Sequence, residues 1–280
     1  MLPQHNARRY DLDWVRVLAF GLLILYHTGM FYVADWDWHI KSAMQSTWLQ
    51  NLMLLTNQWR MPLLFFVSGS ALYFACRKIT SLGLLKIRFT RLFVPLLFGM
   101  FVVVAPQTYF QILQSEGGVF DSYWQFYVQY ININTEAFPN HQPSPLGLLT
   151  WNHLWFLAYL WHYTLAFLLI KPLLDKTADA AWLSSIPAWA LFSGPVLITA
   201  IYGITLGHFP ETHALIDDWY NHAFYFSILV FGYILGNNTG LWQKIITHRK
   251  VWFIIALMGY AILIAARNEF IDIRLLLPFG

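Results

Sequence analysis

The sequence is short of charge and nearly without cysteine. Asp, Glu, Lys and Arg make up 11% of its 280 residues, well below the roughly 25% of an ordinary soluble domain. A water-exposed shell around a large soluble core is therefore excluded. A single cysteine, Cys76, rules out an intrachain disulfide. The formal net charge of +3 is too small to indicate a nucleic-acid partner, and the basic residues cluster between apolar stretches. There is no internal repeat and no low-complexity tract. The N-terminus does not read as a cleavable signal peptide either: the first apolar run is too long, and no small-residue cleavage site follows it.

What remains is hydrophobic. Apolar residues account for 58% of the chain and the mean hydropathy is +0.49, which places it among membrane proteins. Fourteen Trp, fifteen Tyr and twenty-three Phe suit a chain with many interfacial anchors. Segments near 14–33, 50–75, 92–110, 154–170, 187–206, 222–237 and 251–266 are apolar enough to cross a bilayer, which takes about 20 residues per helix. The residues from Leu275 to Gly280 read as the opening of another span, so the chain is expected to stop inside a helix, as a shortened protein would. The expected fold is an all-α polytopic transmembrane helix bundle of seven spans and a fraction, forming a single membrane-embedded domain over 1–280.

Loop charges orient that bundle. With the N-terminus in the cytoplasm, the inner loops hold Arg8, Arg9, Arg77, Lys78, Lys86, Arg88, Arg91, Lys171, Lys176, Lys244, Arg249 and Lys250. The outer segments hold only Lys41, Arg267 and Arg274, beside ten acidic residues from Asp35 to Asp272. This asymmetry follows the positive-inside rule. The longest connection, near 111–153, lies outside and contains the aromatic stretch Tyr123–Tyr130, which suits a short amphipathic helix in the interface.

The first span carries charge where hydrocarbon should exclude it. Asp13, Arg16 and His27 lie in one apolar run. At ~100° per residue, Arg16 and His27 fall within ~20° of each other and ~16 Å apart along the axis, with Asp13 about 40° to the other side. Such residues usually face the bundle interior or a wet cavity. A structural ion pair beside a hydrogen-bonded histidine is one reading. Chemistry is the other, with His27 as a general base, since three polar groups share a face.

Arg60, in Asn57-Gln58-Trp59-Arg60-Met61-Pro62, is a lone arginine within the second span and demands a partner or water. Arg88 and Arg91 form an Arg-x-x-Arg pair just before the third span and share a helix face. They serve either as topogenic charge or as two guanidinium forks for a phosphorylated ligand. His153 stands at the outer membrane surface, next to the long loop, as a hydrated interfacial residue or a ligand contact. The spacing of His208, His213 and His222 near Glu211, Asp217 and Asp218 matches no metal motif, so no metal is expected.

With these residues in view, the chain resembles the acyltransferase-3 family of polytopic membrane acyltransferases. The family's Arg-x10-His signature in its first helix matches Arg16 and His27. Its cytoplasmic Arg-x-x-Arg matches Arg88 and Arg91, and its Phe-Phe-x-x-Ser-Gly segment matches Phe65-Phe66-Val67-Ser68-Gly69. His153-Leu154-Trp155-Phe156-Leu157 resembles the branch that includes the succinylating membrane protein of periplasmic glucan synthesis. Many sugar O-acetylating members carry a glutamate shortly after that tryptophan. Tyr159 and Leu160 stand there in this chain, so no role for that glutamate carries over.

The resemblance implies transfer of an acyl group, acetyl or succinyl, from cytoplasmic acyl-CoA to a hydroxyl of a cell-envelope carbohydrate or glucan. It also implies no permanently bound cofactor, with acyl-CoA as the donor substrate. His27 and Arg16 would be catalytic, Arg88 and Arg91 would hold the donor, and Arg60 and His153 would bind substrate. The expected partners are acyl-CoA, the carbohydrate acceptor and the lipid bilayer of a bacterial inner membrane. A proton-coupled transporter and a non-catalytic membrane subunit are the competing readings, because buried His and Arg also mark proton and ion pathways.

Overall fold

A computed structural model describes residues 9–116, 120–135, 144, 147–191, 193, 209, 211–236 and 238–270. Among these residues the architecture is helical, with no strand. The long helices are α1 (Tyr10–Met30), α2 (Thr47–Cys76) and α3 (Ser81–Gln114). A short α4 (Tyr123–Ile131) follows, then α5 (Trp155–Ala178), α6 (Trp219–Leu235) and α7 (Thr239–Arg267). Five helical segments, α1, α2, α3, α7 and the run that contains α5, are long and apolar enough to cross a membrane. The 17-residue α6 stands at the expected sixth span. Most of the expected 187–206 span, and the start of another after Leu275, lie outside the described residues.

Local chemistry sets the helix starts. Ser46, Thr80, Ser122 and Asn238 each cap a helix by accepting a hydrogen bond from a backbone N–H in its first turn. The Thr80 cap moves the third helix well upstream of the expected 92. Arg88 and Arg91 therefore lie within α3 rather than in a loop before it.

α3 is interrupted by two π-helical stretches, Phe89–Phe93 and Gly99–Val104. Each precedes a proline, Pro95 and Pro106. A proline has no N–H for the carbonyl four residues back and its ring crowds that carbonyl, so the helix widens locally. α4 partners the second stretch. Tyr130 donates its hydroxyl to the Met100 carbonyl at 2.7 Å and Tyr127 to that of Phe101 at 3.1 Å. The aromatic stretch of the long connection is thus a helix, as its spacing implies. Its Phe126 and Tyr130 are buried and its Trp124 and Val128 exposed.

The tightest contact in the bundle joins α2 to α6. A Cβ on Gly69 would stand 1.9 Å from the Leu229 carbonyl oxygen, and one on Gly232 would stand 2.1 Å from that of Phe66. Ser70 crosses the same seam to the Gly232 carbonyl at 3.1 Å. Ser68-Gly69-Ser70 is therefore a close-approach surface between helices, of the kind small residues provide in membranes. Overpacking of this kind costs ~1–3 kcal/mol and sometimes more. Because backbone rather than a flexible side chain blocks the space, Gly69→Ala and Gly232→Ala are expected at the upper end of that range. Thermal melting of the detergent-solubilised protein checks this, with Gly21→Ala as control, since a Cβ there meets nothing within 4 Å.

α1 and α7 lie on the outside. Ala19 and Met30 are the buried residues of α1, and Leu241 that of α7. α7 is nevertheless tied to the start of α2: Tyr260 donates to the Asn51 carbonyl and Arg267 to the Asn51 side chain, both at 2.9 Å, while Arg267 also pairs with Asp35. The chain direction brings the N-terminus of α1 to the same end of the bundle as the C-terminus of α2 and the start of α3. There Arg77 pairs with Asp179, Lys171 with Asp175 at 2.6 Å, and Tyr233 also donates to Asp175.

Candidate active site

At the opposite end from these pairs, α1, α2, α3, α5 and α6 surround a cavity of about 1290 Å³. Its wall takes Tyr26 and His27 from α1, Asn57, Gln58 and Arg60 from α2, and Thr108 and Gln111 from α3. Trp38 and His39 enter from the connection after α1, Trp151, Asn152 and His153 from the approach to α5, and Glu211 to Ile216 from the loop before α6. Three of the six expected site residues, His27, Arg60 and His153, thus meet in one chamber.

His27 stands in the last turn of α1. Its Nδ1 lies 2.7 Å from the Leu23 carbonyl. A carbonyl only accepts, so Nδ1 carries the proton and the Nε2 lone pair is left for chemistry. The ring packs between Trp38 and His153, with centroids 5.5 and 5.6 Å away. His153 follows Asn152, whose φ of 44° lies in the left-handed region that Asn tolerates. The His153 Nδ1 is buried and has no hydrogen-bond partner among the described residues.

Arg60 is 5% exposed, and among the described residues its Nε and Nη1 have no hydrogen-bond partner. Its guanidinium carbon sits 3.5 Å from the centroid of the Tyr26 ring, a cation–π contact. The Tyr26 hydroxyl in turn donates to the Asn57 side chain at 2.9 Å. Pro62, two residues after Arg60 in α2, leaves the Gln58 carbonyl one turn back without its intrahelical donor beside the cavity.

Two features of the chamber escaped the sequence reading. His39 bridges the walls: its Nδ1 donates to the Gln111 side chain at 2.7 Å and its Nε2 accepts from Asn152 at 2.8 Å. The second is Asp218, fully buried at the head of α6. Its carboxylate accepts from the backbone N–H of Thr212 at 3.2 Å and of His213 at 3.0 Å, from Asn221 at 2.8 Å, and from the Tyr159 hydroxyl. Tyr159, whose hydroxyl also accepts from the Leu215 N–H at 3.1 Å, therefore holds the loop before α6. His213 and Leu215 in this loop take left-handed φ values of 53° and 73°. Burial pushes the His213 imidazole below its usual range, against the opposing pull of Asp218 and Glu211, so it is neutral near pH 7.

The other three expected site residues stand at the far end. Arg16 is 3.5 Å from Asp13 and its side chain is 48% exposed. It does not reach the chamber that His27 lines. Arg88 lies within electrostatic range of both Arg16 and Arg91, so three guanidinium groups gather where α1 and α3 begin. His162, which bonds the Ala158 carbonyl at 2.8 Å, and His222, at 2.5 Å from that of Leu215, serve their own local structure. Among the described residues no group of three His, Cys, Asp or Glu side chains is placed to hold a metal ion.

A helical bundle with several membrane-length helices, a largely apolar chamber studded with polar side chains at one end and an arginine cluster at the other defines a polytopic membrane protein built around an internal site. The chain belongs to the acyltransferase domain family (Acyl_transf_3), which matches residues 9–270. Its relatives include glucans biosynthesis protein C of Escherichia coli strain K12, 29% identical over 163 residues. The protein of the same name from Escherichia coli O1:K1 / APEC matches to the same extent. The matched stretch takes in 57% of this chain and 38% of the length of these relatives. Comparison with solved structures gives no match.

Proposed function

We propose that this chain moves an acyl group from acyl-CoA to a hydroxyl of a cell-envelope carbohydrate, a glucan by analogy with the name of its relatives. The observation that carries the proposal is His27, held on the chamber wall with Nδ1 committed to Leu23 and Nε2 unencumbered. Nε2 takes the proton of the acceptor hydroxyl as its oxygen attacks the thioester carbonyl. The C–S bond breaks as the ester C–O bond forms, and the proton passes from Nε2 to the departing thiolate. The carbohydrate enters the chamber, where His153 contacts it. Arg88 and Arg91 grip the phosphates of the donor, and Arg16 directs the donor's acyl end toward the interior. The loop charges support a cytoplasmic N-terminus in a bacterial inner membrane, which puts the arginine cluster on the donor's side.

Transfer of labelled acyl groups from acyl-CoA to cell-envelope glycans by the purified full chain tests this reading, with His27→Ala as the comparison. Arg88→Ala and Arg91→Ala are each expected to weaken acyl-CoA binding by about 1.5–3 kcal/mol, the range for hydrogen bonds to charged groups. Lysine at either position restores only part, because a point charge does not reproduce the guanidinium fork. Calorimetry with a non-hydrolysable acyl-CoA analogue measures it. Unchanged affinity in the double variant would return both residues to topogenic charge.

A further inference from the structure

Arg60 poses a problem that the transfer reaction alone does not solve. An arginine with 5% exposure in the middle of a membrane-length helix is costly unless its charge and its donors are met. Among the described residues no carboxylate lies within 4 Å of it, since the ion pairs of the bundle involve Arg9, Arg16, Arg77, Lys171 and Arg267. The Tyr26 ring covers one face, yet Nε and Nη1 remain without acceptors. A purely structural arginine has its donors satisfied. This one borders a cavity large enough for a sugar or an acyl chain and keeps two donors unused.

We propose that Arg60 is a receptor for a carboxylate, so that the chamber is built for a substrate carrying a negative charge beside its reacting centre. The inference rests on the transferase reading for its two candidate sources of that carboxylate. One is the far end of a dicarboxylic acyl group, and the other is an acidic sugar in the acceptor. In both, the carboxylate reaches the orphaned donors of Arg60 once the side chains that close over Nε and Nη1 in the free protein move aside, while the reacting oxygen or carbonyl lies toward His27, which shares the chamber with Arg60. A charge-assisted hydrogen bond in a dry pocket discriminates strongly against a neutral isostere, because the neutral ligand leaves the donors unmet.

The test is binding to the purified full chain in nanodiscs, read by ligand-induced thermal shift and tryptophan fluorescence. The probes are a dicarboxylic acid monomethyl ester, methyl butyrate, methyl glucuronide and methyl glucoside. At least one carboxylate probe is expected to bind about tenfold or more tightly than its neutral counterpart, equivalent to about 1.4 kcal/mol, and which one identifies the source. Arg60→Gln is expected to erase the preference and Arg60→Lys to keep part of it. The charged-to-neutral comparison in the native chain needs no variant, so it stands even where Arg60→Gln does not fold. Equal binding of charged and neutral probes overturns the inference, as does failure of both carboxylates to bind, or a folded Arg60→Gln protein with unchanged preference. Transfer of an uncharged acyl group to a neutral acceptor without any carboxylate preference would sink this inference and leave the transferase standing. Loss of acyl-CoA binding and transfer with the preference intact would do the reverse.

Discussion

Replacing His27 with alanine is expected to reduce acyl transfer by roughly 10²–10⁴-fold, the usual contribution of a positioned general base, while the protein still inserts and melts normally. The expectation of normal melting follows from what His27 does for the fold. Its one hydrogen bond among the described residues runs to a carbonyl of its own helix, four residues back, and that carbonyl stays within the helix when the ring is gone. Around the ring are Trp38, Tyr26 and His153 at edge or tilted contacts, facing a chamber rather than a packed core, so alanine creates little new cavity. His27→Gln keeps a polar group of similar reach without a base of suitable basicity and is expected to be as inactive as alanine. Labelled transfer and thermal melting on the same preparation decide the matter. A His27→Ala protein that acylates its acceptor at the native rate overturns the assignment, and one that loses activity only by unfolding returns His27 to a structural role.

The second large effect is expected at Asp218, on stability. Four donors converge on its buried carboxylate: two backbone N–H groups, the Asn221 amide and the Tyr159 hydroxyl. Each buried donor left without a partner costs about 1–3 kcal/mol, so Asp218→Ala is expected to lose several kcal/mol. That is a large share of the ~5–15 kcal/mol that holds a typical domain. The loss should be local first. The loop before α6 has left-handed residues at His213 and Leu215, and Asp218 together with the Trp151 indole, which donates to the His213 carbonyl at 2.9 Å, keeps them in place. Hydrogen exchange is therefore expected to rise at Thr212 and His213 before it rises along α6. Tyr159→Phe removes one of the four donors to Asp218 and leaves the Leu215 N–H, which donates to the Tyr159 hydroxyl at 3.1 Å, without its acceptor, so it should cost about 1–3 kcal/mol. A Tyr159→Phe change as damaging as Asp218→Ala would show that the tyrosine, rather than the carboxylate, anchors the loop.

Different physical signals made some of these residues legible in the sequence and hid others. Arg60 stood out because one cation in an apolar run is anomalous wherever the run folds, and the structure shows it buried with donors to spare. Arg16 stood out for the same reason, yet it ends half exposed beside Asp13. Angular phase along α1 put it on the His27 face but could not say how far the bundle extends along that face. The start of α3 was misplaced because Ser81 to Arg91 reads as loop by hydropathy, whereas the Thr80 cap and π-helical widening before Pro95 keep it helical. His39 carries no signal of its own in a polar connection. Its role exists only because Gln111 and Asn152, distant in sequence, come to its two ring nitrogens. Asp218 looked like one acid among several outside the bundle and proved to be its buried anchor.

By itself, the sequence determined the membrane class, the positions of most long helices and the residue types able to carry chemistry. Hydropathy, capping and charge bias are local properties that survive without knowledge of neighbours. Only the tertiary structure decided that His27, Arg60 and His153 share one chamber while Arg16 and Arg88 gather at the other end. Co-location depends on how helices pack, and here packing turns on Gly69 and Gly232, where two backbones approach too closely for any side chain. A contact of that kind leaves no periodic trace in either helix: each glycine is legible alone as a small residue, and the pairing appears only when the two helices meet.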